Sequence, residues 1–286
     1  MPACIVCRLP LTALVLLLAL FWLLVGCGTA EKQASEPEAT QPEATTETTT
    51  LSDPEAESAT DWGYTGTIGP DSWGELNPAY AQCSSGQNQS PINLVGATPS
   101  ALPEINFDYK PSTINLENNG HSIEWRYDRG SSIGLGGTQY ELIQLHFHAP
   151  SEHVVNGEHF PMELHIVHET PEEKIAAIGV LIKQGADNPA YAKLWSMLPK
   201  NKGETHSTNA ELNAVDLLPA NPQQAPRYSY EGSLTTPPCT EGVQWSIFEQ
   251  PIELSQAQIE QFTSIYSNNN RPVFPLNDRE LLVSSQ

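Results

Sequence analysis

The distribution of hydrophobic and polar positions divides the chain into three parts. Residues 11–25 are an uncharged and almost wholly apolar run of 15 residues. Residues 28–61 contain almost no large apolar side chain, and from residue 62 onward short apolar runs recur between turn residues. Short runs rich in β-branched and aromatic residues, bounded by turn residues, predict strands. The third part runs from Trp62 to Gln286 and has 225 residues. It is therefore predicted to be the folded domain.

The pattern within residues 62–286 predicts a mainly β fold. Helices are predicted at only two places, where Asn188-Pro189 and Ser255 offer a helix cap ahead of an apolar periodicity. We expect a single domain with a large, mostly antiparallel twisted sheet and a few short peripheral helices. The predicted strands cover 105–109, 122–127, 139–148, 162–168, 175–183 and 243–248, and the predicted helices cover 190–198 and 256–266.

The first apolar run predicts export. It follows Arg8, and it is short for a bilayer span of about 20 residues but typical of a secretory signal. It ends in Leu24-Val25-Gly26-Cys27, which resembles the lipobox of bacterial lipoproteins. We therefore predict a signal peptide over 1–26 and an acylated Cys27 that anchors the protein outside the cytoplasm, in the periplasm or on the outer surface. The alternative is a plain signal peptide or an uncut anchor with an incidental cysteine.

The segment after Cys27 is acidic and poor in large apolar residues. Such a composition cannot bury enough surface to offset its ordering entropy, so residues 27–61 are predicted to be a disordered tether. The whole chain has 34 acidic and 13 basic residues, a formal net charge of −21. Nucleic-acid binding needs clustered Lys and Arg, and this charge argues against a nucleic-acid partner.

Seven of the eight histidines lie between residues 121 and 168. His146 and His148 are two apart on a predicted strand, so their rings leave the same face of the sheet, and Gln144 shares that face. A turn at Asn156-Gly157 would let the strand over 162–168 pair antiparallel with the first and bring His165 alongside. The spacing therefore predicts that three imidazoles converge.

Three imidazoles with a fourth position left open are typical of a catalytic zinc site. A ligand imidazole needs its second nitrogen held, and Gln144 and Glu163 each precede a candidate ligand by two residues on the same face. An isolated His-x-His pair is more often ordinary strand surface. The combination with His165, Gln144 and Glu163 favours a metal site.

These motifs together resemble the α-class carbonic anhydrases, here with the N-terminus of a bacterial lipoprotein. The resemblance runs in order from Trp62 to Leu282. Its central motifs are Gln144-Leu-His-Phe-His148, Ser151-Glu-His153 and Glu163-Leu-His-Ile-Val-His168. Flanking motifs are Trp62-Gly-Tyr64, Asn118-Asn-Gly-His121, Gly232-Ser-Leu-Thr-Thr-Pro-Pro238 and Arg271-Pro-Val-x-Pro-Leu-Asn277.

The resemblance implies a zinc enzyme that interconverts carbon dioxide and bicarbonate. His146, His148 and His165 would bind zinc, and a zinc-bound hydroxide would attack carbon dioxide. Thr235 would accept a hydrogen bond from that hydroxide and donate its own to Glu152. The residues implied to contact carbon dioxide are Val167, Ala177, Leu234, Thr236, Val243 and Trp245.

The resemblance also implies a proton path. His121 would carry the proton from the zinc-bound water to buffer, and Tyr64 and Asn119 would order the bridging waters. Glu124 occupies a position where some relatives have an amide that helps to order these waters, and we expect this difference to slow the transfer. For the other histidines we expect a buried hydrogen bond between His153 and Tyr230, and exposure to solvent for His159, His168 and His206.

Cys83 and Cys239 are the only cysteines after residue 61. An even pair in an exported chain predicts a disulfide, although two free structural thiols remain the alternative. Two other functions also compete with the enzyme. One is an inactive carbonic-anhydrase-like binding module, and the other is a zinc-storage or delivery lipoprotein, which would hold several exchangeable ions.

Overall fold

The computed structural model describes residues 61–285. The predicted signal peptide, the acylation site at Cys27 and all of the predicted tether except Asp61 lie outside the described residues. Within them, four short α-helices accompany the sheet. They are α1 (Trp73–Leu76), α2 (Gln82–Ser85), α3 (Pro189–Trp195) and α4 (Gln256–Thr263).

The strands of the described residues number 14. In chain order they are β1 (Thr98–Ser100), β2 (Ile105–Asp108), β3 (Ser112–Asn118), β4 (Ile123–Arg126), β5 (Ser132–Leu135), β6 (Thr138–His148), β7 (Val154–Val155), β8 (Glu158–His159), β9 (Met162–Glu169), β10 (Ile175–Gln184), β11 (Thr205–Leu212), β12 (Arg227–Ser233), β13 (Glu241–Leu254) and β14 (Leu282–Ser284).

Twelve of these strands form one sheet, in the order β1-β14-β12-β13-β10-β9-β6-β4-β3-β11, with β5 on β6 and β2 on β5. The β1–β14 and β10–β13 pairs are parallel, and the other pairs of this sheet are antiparallel. The predicted fold class is therefore confirmed. The remaining two strands, β7 and β8, form a hairpin around Asn156 and Gly157, where a turn was predicted.

Both predicted helices form, and each begins directly after the cap residue that was identified in the sequence. Asn188 accepts a hydrogen bond from Ala190 N (3.1 Å), and Ser255 and Gln258 complete a capping box. Each helix ends three residues earlier than predicted. Beyond its end, backbone hydrogen bonds join residues three apart instead of four, such as Leu198 N to Trp195 O and Ile265 N to Phe262 O.

Alternation along the central strands decides which side chains face the main core. Leu145 and Phe147 of β6 and Leu164 and Ile166 of β9 pack into a large apolar cluster. The intervening residues of both strands, including the three clustered histidines, point to the opposite face. A second apolar cluster on that side contains Ala177, Tyr230 and Trp245. The centre of the sheet is thus covered on both faces, with His148 and His165 buried and His146 partly exposed.

A disulfide joins Cys83 to Cys239, as predicted, with their Cα atoms 5.0 Å apart across 156 residues of sequence. Both cysteines pack against the buried Trp73. Cys239 N donates a hydrogen bond to the Thr236 carbonyl (2.9 Å), so the disulfide holds the loop that carries Thr235 and Thr236. Among the described residues, no helix combines the length and the apolar character needed to cross a bilayer.

His168 does not face solvent, which corrects the prediction made for it. It lies an odd number of residues from His165 on β9, so its ring joins the main core instead of the histidine face. The Tyr109 hydroxyl is 2.6 Å from His168 Nε2, and His168 Nδ1 is 3.3 Å from the Ala176 carbonyl. Of the other two histidines expected in solvent, His159 is exposed and His206 is partly exposed.

The burial of His168 predicts acid lability. Burial lowers its pKa from 6.5 to about 3, against the opposing effect of its backbone hydrogen bonds. As the pH falls below 6.5 the unfolded chain binds this proton first, so the folded state loses stability until the pH reaches about 3. This one group should remove about 2 kcal/mol of unfolding free energy between pH 7 and pH 5.

Urea unfolding of the parent protein and of His168→Asn at both pH values measures this contribution. The substitution changes stability at every pH, so the informative quantity is the difference between the two pH values. That difference should be smaller by about 2 kcal/mol in the variant. An unchanged difference would show that His168 is not the group that titrates.

Candidate metal centre and active-site cavity

The three predicted ligands meet where β6 and β9 pair antiparallel. His146 is the register partner of His165, and His148 follows His146 by two residues on the same face. One nitrogen from each ring lies within 4.8 Å of the other two. The convergence predicted from spacing is therefore confirmed.

Two of the rings are held by the residues that the sequence indicated. Gln144 Oε1 is 2.8 Å from His146 Nδ1, and Glu163 Oε1 is 3.0 Å from His165 Nε2. These contacts leave His146 Nε2 and His165 Nδ1 for a metal. Second-nitrogen contacts of this kind fix the tautomer and the orientation of a ligand imidazole.

The third ring is held by a group that sequence reasoning missed. His148 Nδ1 is 2.7 Å from the carbonyl oxygen of Asn269, which comes from a loop 121 residues away. A backbone carbonyl carries no side-chain signature, so no sequence signal could have identified this partner. His148 Nε2 is buried and has no hydrogen-bond partner among the described residues.

The donor set fits zinc. An unpartnered buried polar atom is unfavourable, and a metal ion would satisfy the free nitrogen of His148. Burial, together with the neighbouring histidines, lowers the pKa of His146 and of His148, which favours the neutral rings that metal ligands must be, whereas Glu163 raises the pKa of His165 against the effect of burial. Three nitrogen ligands with a further position open match a catalytic zinc site.

Glu163 connects this centre to a buried hydrogen-bond network. Its carboxylate accepts from the backbone N–H groups of Glu152 and His153 (2.9 and 2.8 Å) and contacts His153 Nδ1 (2.7 Å). Burial alone would raise the pKa of Glu163, but His153 and His165 hold it well below its usual value. His153 Nε2 is 2.7 Å from the Tyr230 hydroxyl, which confirms the predicted pair.

Glu152 and Thr235 are both buried beside the centre. Glu152 Oε1 accepts from Arg271 N (2.8 Å), and Glu152 Oε2 is 3.8 Å from His165 Nδ1. Among the described residues Glu152 Oε2 has no hydrogen-bond partner, so one carboxylate oxygen is available to accept. The hydrogen bond from Thr235 to Glu152 stays a prediction.

A cavity of about 240 Å³ lies against His146 and His165. Thr235 is in its wall together with five of the six residues expected to contact carbon dioxide: Val167, Ala177, Leu234, Thr236 and Trp245. The sixth, Val243, is buried in the core beside Ala177 and Trp245. Three further lining residues had not been identified from the sequence: Ile143, Glu169 and Ile175.

A smaller recess of about 80 Å³ also lies against His146 and His148. The predicted proton-path residues Tyr64, Asn119 and His121 line it, together with Glu124. Asn119 Oδ1 accepts from the backbone N–H groups of His121 (2.9 Å) and Ser122 (2.8 Å), which shapes this turn. The recess therefore brings the candidate shuttle and two metal ligands to one space.

The His121 ring is stacked on Trp62, with ring centroids 3.6 Å apart and planes 5° apart. The Tyr64 hydroxyl and His121 Nδ1 are buried without hydrogen-bond partners among the described residues. Polar atoms of this kind beside a polar recess are suited to ordered water. The sequence pointed to Trp62 only as part of the motif Trp62-Gly-Tyr64, and not as a partner of His121.

The chain is similar to known proteins of one family. The family described as eukaryotic-type carbonic anhydrase matches residues 68–285. A carbonic anhydrase of Neisseria gonorrhoeae is 42% identical over 78% of this chain and 88% of its own length, and one of Nostoc is 39% identical over 80% and 88%.

A solved structure is similar as well. The α-carbonic anhydrase of Thermovibrio ammonificans, in complex with the inhibitor sulfanilamide, has a TM-score of 0.75 and 41% identity. The match covers 78% of this chain and 99% of that one. The fold, the convergent histidines and these relatives together show that the chain belongs to the α-carbonic anhydrase family.

Proposed function

We propose that this protein catalyses the reversible hydration of carbon dioxide to bicarbonate and a proton, with zinc held by His146, His148 and His165. The observation that carries the proposal is the convergence of three ring nitrogens within 4.8 Å beside a cavity of about 240 Å³. Bound zinc would lower the pKa of a water ligand to about 7 and so supply a nucleophile near neutral pH.

The chain's own residues would orient the reaction. The apolar wall formed by Val167, Ala177, Leu234 and Trp245 suits a small apolar substrate and excludes competing water. The Thr235 hydroxyl, with Glu152 Oε2 free to accept from it, would accept one hydrogen bond from the nucleophile and fix its direction. His121, in the adjoining recess, would take up the proton and release it to buffer.

Stopped-flow hydration of carbon dioxide by the purified, zinc-loaded chain tests this function. A kcat/KM above about 10⁴ M⁻¹s⁻¹ is expected of an enzyme. A correctly folded, zinc-loaded chain with no hydration activity would instead indicate a binding module.

We further propose that the enzyme is anchored by an acylated Cys27 to a bacterial membrane, outside the cytoplasm. Support comes from Leu24-Val25-Gly26-Cys27 behind an uncharged apolar run of signal-peptide length. Cys27→Ser should move the protein from the membrane fraction to the soluble fraction without changing kcat/KM of the domain. Mass spectrometry of the parent should find a lipid-modified N-terminal cysteine, and an unmodified chain that still carries residues 1–26 would exclude this processing.

A further inference from the structure

The turn that carries His121 is covered by a lysine from a distant loop. Gly203 N donates to the Asn118 carbonyl (2.7 Å), and Asn118 N donates to the Glu204 carbonyl (3.0 Å), so this loop is docked on the start of the turn. The docking places the Lys202 stem on Gly120. A Cβ built on Gly120 would lie 2.6 Å from Lys202 Cε, and the φ of +93° at Gly120 also favours glycine.

A second charge comes from the start of the described chain. Asp61 Oδ1 is 3.4 Å from Lys202 Nζ, and the next residue, Trp62, carries the ring that stacks on His121. The Lys202 and Asp61 side chains are 65% and 73% exposed, so this ion pair itself contributes little to stability. The two charges nevertheless come from two segments that adjoin His121, because Lys202 lies on Gly120 and Asp61 precedes Trp62.

We infer that Lys202 is a positioning residue of the proton path: its ammonium, at the end of a stem that lies on Gly120 and partly countered by Asp61, disfavours a second positive charge on the His121 imidazole and so assists transfer of the proton from His121 to solvent. This inference rests on the proposed role of His121 in carbon dioxide hydration. Lys202 touches neither substrate nor metal ligand in this account, and it acts only through the charge state of His121.

The electrostatic surroundings of His121 agree with this role. Its pKa is lowered by burial and then by Lys202, while Asp61 acts in the opposite direction. The other titratable groups of the recess, besides the metal ligands, are Glu124 on β4 and Tyr64 in the N-terminal segment. A cation close to an imidazole disfavours its protonated form. Lys202 therefore assists proton release by His121 and opposes proton uptake.

Substitutions of opposite sign provide a sharp test. The NMR signal of the His121 C2 proton, followed against pH in the zinc-loaded full chain, gives the titration midpoint directly. Lys202→Gln should move that midpoint to higher pH, and Lys202→Glu should move it about twice as far because the charge changes by two units rather than one. Asp61→Asn should move it to lower pH, and salt should shrink each shift.

Lys200→Gln is the matched control, since it removes the same charge from the same loop two residues away. Its shift should be much smaller than that of Lys202→Gln. An equal shift, or a midpoint that Lys202→Glu leaves in place or moves to lower pH, would overturn the inference.

Oxygen-18 exchange connects the titration to turnover. The pH profile for release of labelled water should move with the NMR midpoint, whereas the rate of carbon dioxide and bicarbonate interconversion should stay unchanged. A profile that does not follow the midpoint would overturn the role in proton release. The titration midpoint can be measured without turnover, so the two proposals can fail separately. If the Lys202 substitutions leave the midpoint in place in an active enzyme, only the role of Lys202 is wrong. If they move the midpoint but the chain has no hydration activity, the proposed function is wrong.

Discussion

Replacing His165 by alanine should remove zinc binding and carbon dioxide hydration together. The substitution deletes one of three converging nitrogens and leaves Glu163 without its contact to a ligand ring. Without the metal the pKa of the reacting water returns from about 7 towards 15.7, so kcat/KM should fall by more than about 10³-fold. Metal content after dialysis and stopped-flow hydration measure both effects on the same sample.

His206→Ala is a suitable control, because it also removes one imidazole but from the edge strand β11. It should keep both zinc and kcat/KM. Full zinc occupancy and activity in the His165 variant would show that this ring is not a ligand.

Replacing His121 by alanine should separate proton transfer from the reaction with carbon dioxide. His121 lines the small recess next to the metal ligands. It does not line the larger cavity, which contains the apolar wall. A group that acts only in a later step should change only the parameter that this step limits. In weak buffer kcat should fall by about 100-fold, while kcat/KM stays nearly unchanged.

Added imidazole should restore part of the lost kcat, because a free base can replace the missing side chain. Glu124 shares the recess and has a pKa raised by burial, so the retained kcat also reports how well this carboxylate substitutes. An equal loss of kcat and kcat/KM under strong buffering would place His121 in the carbon dioxide site or in the fold.

The centre of the site could be predicted because it depends on periodicity. Two antiparallel strands with side chains alternating between faces are enough to bring His146, His148 and His165 together. The same rule, applied to His168, would have placed it on the buried face. The prediction that His168 faces solvent was wrong because a histidine can be buried where both ring nitrogens have polar partners, here Tyr109 and the Ala176 carbonyl.

Contacts made by distant loops could not be predicted in the same way. The Asn269 carbonyl that holds His148 and the Lys202 stem over Gly120 depend on tertiary packing. The strands β3, β11 and β12 were missed because their sequences contain few apolar residues. Each becomes a strand by pairing with a neighbour in the sheet, which local composition does not reveal.

Titration of the metal-free full chain with zinc, while carbon dioxide hydration is followed, shows whether a single bound zinc ion is responsible for the activity. Activity should rise in proportion to bound zinc and reach its plateau at one zinc per chain. Binding of several exchangeable ions with no hydration activity, as expected of a zinc-storage protein, would contradict it.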